Sequence, residues 1–275
     1  MEFLMTYGWS VLIITVVIVA LFQLGVFSPT NYTPKAQPGN CKVLRTGGFT
    51  NLEGTCSGVP PQSVAVFNGG SNALLISSIS LPAETAISES MWVELSSPYS
   101  ATGEADIFYD IGGNANYRLV TNPIFEPILT TANNYKSGAV TSVTPALGSW
   151  YNVVFTYNAL AGSNNFQAYV NGAAATPTTL TGTVNSISGF EIGGTSPEPF
   201  YGEVADVQIY NTTLDASQVL LLYTKGIGAA PIAPQYVVGW WPLNGNANDY
   251  SGNNNNGGTT NVVYTSSWTG GYTPP

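Results

Sequence analysis

The run GSWYNVVFTYN (Gly148–Asn158), followed by NNFQAYVNG (Asn164–Gly172), decides the fold of this chain. Tyr151, Val153, Phe155 and Tyr157 alternate with other residues, so a strand through them turns all four to one face. Asn171-Gly172 then supplies the two positive-φ residues of a tight hairpin turn. Runs of the same kind recur every 8 to 15 residues from Ser63 onward: SVAVFNGG, ALLISSISL, MWVELSS, ADIFYDIGG, FEIGG and FYGEVADVQIYN. Short strands at that spacing, separated by turn residues, predict an antiparallel β-sandwich.

Composition narrows the function. Of the 275 residues only 8% are charged, the net charge is −9, and six Lys and Arg are scattered along the chain. Six dispersed cations cannot line a nucleic-acid backbone, so nucleic acid is not an expected partner. Histidine is absent, which removes imidazole catalysis and the common zinc sites. Cys41 and Cys56 are the two cysteines, and in an extracytoplasmic protein they are expected to form one disulfide worth about 3 kcal/mol in the chain-entropy model. Two free thiols are the alternative. The triplets Asn31-Tyr32-Thr33 and Asn211-Thr212-Thr213 make Asn31 and Asn211 candidate glycosylation sites.

The first 28 residues differ from the rest. Phe3 to Phe27 carries neither charge nor proline, so it can run as one helix of about 25 residues and about 38 Å, long enough to span a bilayer. Its apolar residues surround the axis, which requires burial on all sides, in lipid or among similar helices. Glu2 precedes it, and the first basic residue is Lys35, so the pattern is not that of a secretory signal peptide. A plain membrane anchor with Glu2 among the headgroups is one reading. Residues 29–62, rich in Pro, Gly, Thr and Asn and holding both cysteines, read as a collar.

Two resemblances sharpen these expectations. EFLMTYGWSVLIITVVIVALFQLGVF resembles the N-terminal helix of archaeal type IV pilin-like proteins. That resemblance implies a helix that waits in the membrane and then enters a filament core, with Glu2 meeting the amino terminus of an adjacent subunit. The family carries a short basic leader and a processing site before the Glu, and Met1 is preceded by neither here. Residues 63–224 resemble the laminin G-like, or concanavalin A-like, jelly roll, on GSWYNVVFTYN, NNFQAYVNG and FEIGGTSPEPFYGEVADVQIYNTTLDASQVLLLY, with a short helix expected after Leu214-Asp215. VVGWWPLNGNANDYSGNNNNGGTTNVVYT, residues 237–265, is similar to the opening strand and loop of such a domain, although it comes last. The expected fold is therefore mainly β, a long hydrophobic helix followed by a permuted sandwich over 63–275. Residues 237–265 then close their own sandwich, complete a neighbouring copy by strand exchange, or begin a second domain for which too few residues remain.

Chemistry is sparse. A glycosidase needs two carboxylates across one groove. Glu203 and Asp206 are three apart on a predicted strand and so expected on opposite faces. Glu104, Asp106 and Asp110 share strand parity, but acidic residues at a strand start are usually solvated, and no catalytic residues are assigned. NGNANDYSGNNNNGG offers Asp249, amides and loop carbonyls as a calcium site, with turn formation as the plainer role of those Asn and Gly residues. No cofactor is required. Tyr250 and Trp268 are candidate aromatic platforms for a sugar. The leading expectation is a non-enzymatic structural subunit of an extracellular filament at the cell surface, its partners being copies of itself and, before assembly, the membrane. The alternative is a monomeric, membrane-anchored lectin binding surface carbohydrate.

Overall fold

The computed structural model describes residues 13–19, 43–46, 49–52, 60–69, 73–76, 79–97, 105–110, 117–121, 124–133, 135–137, 141–193 and 199–275. The architecture is a mainly β, antiparallel sandwich with two α-helices among the described residues. The long opening helix expected from sequence is described as helix α1 over residues 13–19. Among the described residues no helix is long and apolar enough to cross a membrane. Strands β1 (Val43–Thr46) and β2 (Phe49–Leu52) form a separate antiparallel pair. Glu2, Asn31, Cys41, Cys56 and Glu104 lie outside the described residues.

The larger sheet contains β3 (Val64–Asn68), β5 (Ala86–Leu95), β10 (Trp150–Asn158), β11 (Phe166–Val170), β12 (Ala173–Ala174), β14 (Tyr201–Tyr210), β15 (Val237–Trp241) and β17 (Val263–Thr265). Its order is β12-β11-β10-β5-β14-β3-β17, with β15 also paired to β14. The second sheet contains β4 (Ala73–Ile76), β6 (Ala105–Asp110), β7 (Tyr117–Thr121), β8 (Phe125–Thr130), β9 (Tyr135–Ser137), β13 (Phe190–Ile192) and β16 (Gly258–Thr260), in the order β16-β4-β13-β6-β7-β8-β9. Every pairing is antiparallel, as the alternating runs predict. Asn171 (φ 51°) and Gly172 (φ 75°) make the β11–β12 turn, the mirror-image geometry that matches strand twist.

Alternation sorts each strand between two environments. Val153, Phe155 and Tyr157 of β10 join Phe67, Met91, Val93 and Val204 of the same sheet and Phe108, Phe125, Leu129, Phe190 and Ile192 of the other in the central core. Burying each such side chain contributes about 1.5–3 kcal/mol before entropy is counted. On its outer face the larger sheet carries α2 (Ala216–Lys225). Asp215 starts α2 through a capping box, accepting the Gln218 N–H at 2.9 Å while its own N–H donates to Gln218 Oε1. Val219 and Leu222 then pack on Val154, Tyr169 and Tyr210.

The C-terminal segment pairs within its own chain. The first half of β14, Tyr201–Val204, binds β3, and the second half, Val207–Tyr210, binds β15. Strand β17 adds to β3 and β16 to β4. The adjacent Trp240 and Trp241 point to opposite faces, as a period of two requires. Trp241 enters the central core and Trp240 the layer beneath α2. Gly239 is needed there, because a Cβ would lie 2.0 Å from the Trp241 ring.

Candidate functional site

The acidic residues fall differently from the sequence expectation. A β-bulge in β14 opposes β5 between Ala205 and Gln208, and Asp206 takes φ 53° there. The extra residue breaks the alternation. Asp206 therefore joins Glu203 in the outer layer of the larger sheet, instead of lying on the opposite face. Its Oδ1 accepts the Trp240 indole N–H at 2.8 Å and the Gln208 amide at 3.0 Å. Burial raises its pKa to about 6 against those bonds. Asp206 is thus a structural acceptor within the layer under α2. A second bulge, between Asp106 and Phe108, breaks the parity expected of Asp106 and Asp110: Asp106 registers with Val120 and Asp110 with Phe190.

Glu203 lies directly opposite Glu94 on β5. Like charges in that position repel, and burial followed by the Glu94 charge raises the Glu203 pKa to about 7. Burial also raises Glu94, opposed by the Ser96 hydroxyl at 2.8 Å and the Gly148 N–H. In the folded state Glu203 and Asp206 hold protons that the unfolded chain releases from about pH 4 upward. Their contribution to stability is complete below the unfolded values and is lost as pH rises to about 7. Because Glu203 is half-buried, screening reduces its share to about 1 kcal/mol, or about 2–4 °C. The Tm of Glu203→Gln, followed by calorimetry across this range, is expected to fall less steeply with pH than that of the wild type.

Asp249 is the centre of a hydrogen-bonded loop. Its Oδ1 accepts the Trp240 and Ser251 N–H groups at 3.0 and 2.8 Å, and its Oδ2 accepts the Ser251 hydroxyl at 2.8 Å and the Asn255 N–H at 2.9 Å. Four donors match the lone-pair capacity of a carboxylate, so a calcium ion would compete with them. No group of three or more His, Cys, Asp or Glu placed to hold a metal occurs among the described residues. Asp249→Ala is expected to cost about 3 kcal/mol in a urea titration. If Asp249 ligates calcium instead, adding calcium raises the midpoint of the wild type and leaves that of the variant unchanged. Asn211 is exposed at the end of β14, open to modification. Trp268 is 2% exposed and donates its indole N–H to Pro61 O at 3.1 Å, so it is a core residue and not a sugar platform. Tyr250, half-buried, packs against Trp240 with ring centroids 6.2 Å apart.

A different set of groups gathers on the outer face of the seven-stranded sheet. One backbone row crosses all seven strands in register, running from Gly258 through Glu191 and Tyr109 to Ile128 and beyond. Glu191 sits between Phe190 and Ile192, whose side chains enter the core, so it faces away from the core. The Tyr109 hydroxyl donates to its Oε2 at 2.7 Å, while Oε1 is shielded and accepts no hydrogen bond from the described residues. Glu126 and Thr130 of β8 alternate with the core residues Phe125 and Leu129 and share this face. Two hydrophobic clusters cover the outer face of the larger sheet, and none of the described residues forms one here. Sequence reasoning did not single out Glu191, whose partner Tyr109 is 82 residues away along the chain.

Residues 68–220, more than half of the chain, match the family model described as the concanavalin A-like lectin/glucanases superfamily. The chain belongs to this superfamily. Among solved structures, the superfamily fold is similar to that of the native heptameric SAP-like pentraxin of Limulus polyphemus. That match has 14% identity over 74% of this chain and 94% of the pentraxin, with a TM-score of 0.53. It is also similar to a candidate carbohydrate-binding protein of Bacteroides ovatus, with 16% identity over 81% of this chain and 70% of that one and a TM-score of 0.55. No curated protein matches the sequence. Identities this low speak for the fold of a superfamily member and not for its ligand.

Proposed function

We propose that the chain is a lectin-type, non-enzymatic binding protein displayed at the cell surface, taking saccharide on the outer face of its seven-stranded sheet. The observation that carries this reading is Glu191: a carboxylate 8% exposed, fixed by Tyr109, with one oxygen that has no donor among the described residues. Sugar hydroxyls are donors of the kind such an oxygen requires. Membership in a superfamily described by lectins and glucanases agrees with that ligand class. The glucanase half of the description does not extend to this face. Paired glycosidase carboxylates stand within about 9.5 Å of each other, and Glu126, which shares the face, is three strands from Glu191, about 14 Å at about 4.8 Å per strand. Screening the purified chain on a glycan array tests the reading. Binding to a defined saccharide set, weakened about 10–100-fold by Glu191→Gln, is expected. Equal binding by wild type and variant, or none by either, would overturn it.

A finer reading, assembly into an extracellular filament, is favoured by helix α1. Ile13, Ile14, Val16, Val17, Ile18 and Val19 are 48–59% exposed and encircle the axis. A helix apolar on all sides is covered by lipid or by other helices. In this reading α1 belongs to the longer hydrophobic segment 1–28, held in the membrane before assembly and packed with copies of itself afterwards. Glu2 then meets a neighbouring amino terminus, and a Cys41–Cys56 disulfide braces the 29–62 collar. Glycans at Asn31 and Asn211 suit the same location, and residues 237–265 act as the family's opening strand, moved to the far end of the chain. Electron microscopy of material sheared from cells that make the protein is expected to reveal fibres, lost in Glu2→Gln. Dispersed subunits in the wild type would leave the anchored-lectin form standing alone.

A further inference from the structure

A recess lies on the side of the sandwich opposite Glu191, where the chain's last residues fold back over the larger sheet. It encloses about 260 Å³ between the sheet residues Trp92, Ser149 and Trp150, the hairpin residue Asn171, Tyr223 of α2, and the returning segment at Gly271, Thr273 and Pro274. The wall is held in place before any ligand arrives. The Trp150 indole N–H donates to Trp268 O at 3.0 Å, and the Ile227 N–H donates to the Tyr272 hydroxyl at 3.3 Å. Gly271 passes so close to the sheet that a Cβ there would lie 1.6 Å from Gly148 O. Trp92 stacks on Tyr223 with centroids 6.0 Å apart and planes 25° from parallel.

The lining states what would fit. None of the residues around the recess is charged, which excludes phosphates, metal ions and acidic peptides as its ligand. It is smaller than the roughly 300–1,000 Å³ of pockets for drug-sized molecules. Polar groups stand among its aromatic rings: the Ser149 and Thr273 hydroxyls, and the amide of Asn171. Asn171 Oδ1 accepts the Asn152 N–H at 2.9 Å, which leaves the amide N–H₂ as two donors. The adjacent Asn152, fully buried and paired with Trp92 across the sheet, has an Oδ1 without a hydrogen-bond partner among the described residues.

We propose that this recess is a second saccharide subsite, taking one neutral sugar ring, with the Asn171 amide and the Ser149 and Thr273 hydroxyls meeting its hydroxyl groups and the Tyr223–Trp92 stack meeting its apolar face. The inference rests on the reading of the chain as a saccharide-binding protein, and it adds a site on the face opposite Glu191. Two sites on opposite faces let one subunit bridge two glycan chains.

The test is a titration of the whole chain with glucose, galactose, mannose and N-acetylglucosamine, read by tryptophan fluorescence, in wild type, Asn171→Asp and Glu191→Gln. Aspartate tolerates the positive φ of the turn and keeps the acceptor for the Asn152 N–H, but removes the donors; an unchanged thermal midpoint verifies the fold. The expected result is that at least one of these sugars perturbs the fluorescence of the tryptophans lining the recess, with its affinity reduced tenfold or more in Asn171→Asp, while the array signal carried by Glu191 persists in that variant. Affinity unaltered in Asn171→Asp but lost in Glu191→Gln would overturn the second subsite and leave the Glu191 face intact. Monosaccharides that bind nothing, while the array still reports binding through Glu191, would also overturn it. Failure of both sugars and array would remove both readings together.

Discussion

Deleting residues 237–275 is expected to leave a chain with no cooperative unfolding transition, and supplying the segment as a separate peptide is expected to restore one. The segment contributes β15, β16 and β17, which pair with β14, β4 and β3 in both sheets. It also contributes Trp240, Trp241 and Trp268, each no more than 2% exposed. Removing one buried Trp side chain costs about 3–5 kcal/mol. Three together consume the roughly 5–15 kcal/mol by which a domain is stable, before the opened edges of β14 and β3 are counted. Circular dichroism melts of the truncated chain, with and without the peptide, are the measurement. A truncated chain that melts cooperatively near the wild-type temperature would mean that the segment only decorates a sandwich already complete.

The second large effect is expected at Asp206. Replacing it with alanine strands the Trp240 indole N–H and the Gln208 amide in a fully buried layer, at about 1–3 kcal/mol each. It also places a residue with a Cβ at φ 53° without the local hydrogen bonding that makes this region tolerable to Asp and Asn. Asp206→Ala should therefore lose about 3–5 kcal/mol in guanidinium denaturation. Asp206→Asn keeps an acceptor oxygen and the backbone preference, and should lose less than half as much. Equal losses for the two substitutions would show that the negative charge, and not the acceptor, is what the layer needs.

Much of the sandwich was legible because its signals are local. The alternation in Trp150–Asn158 and the Asn171-Gly172 turn each depend on residues a few positions apart, and both stand where local pattern puts them. The helix after Asp215, expected from the resemblance, starts through a capping box that sequence reasoning did not single out. The two bulges were not legible. One extra residue at Asp206, or between Asp106 and Phe108, leaves no trace in the hydrophobic pattern, yet it reverses the face of every later residue in the strand. Trp268 looked like a free aromatic near the end of the chain, and only the fold brings Pro61 to its indole. Glu191 was visible as a lone acid in FEIGG, but its meaning depends on Tyr109, which strand pairing delivers from a distant part of the chain. The period of a strand is a local property, whereas the site arises from registers between strands.

The most direct measurement is hydrogen–deuterium exchange on the full chain, with and without the saccharide selected by the array. The expected result is slowed exchange at Phe190–Ile192 and Ala105–Asp110, the strands that carry Glu191 and Tyr109, and its loss in Glu191→Gln. Unchanged exchange in those two strands under saturating saccharide would contradict the assignment of the seven-stranded sheet as the ligand face.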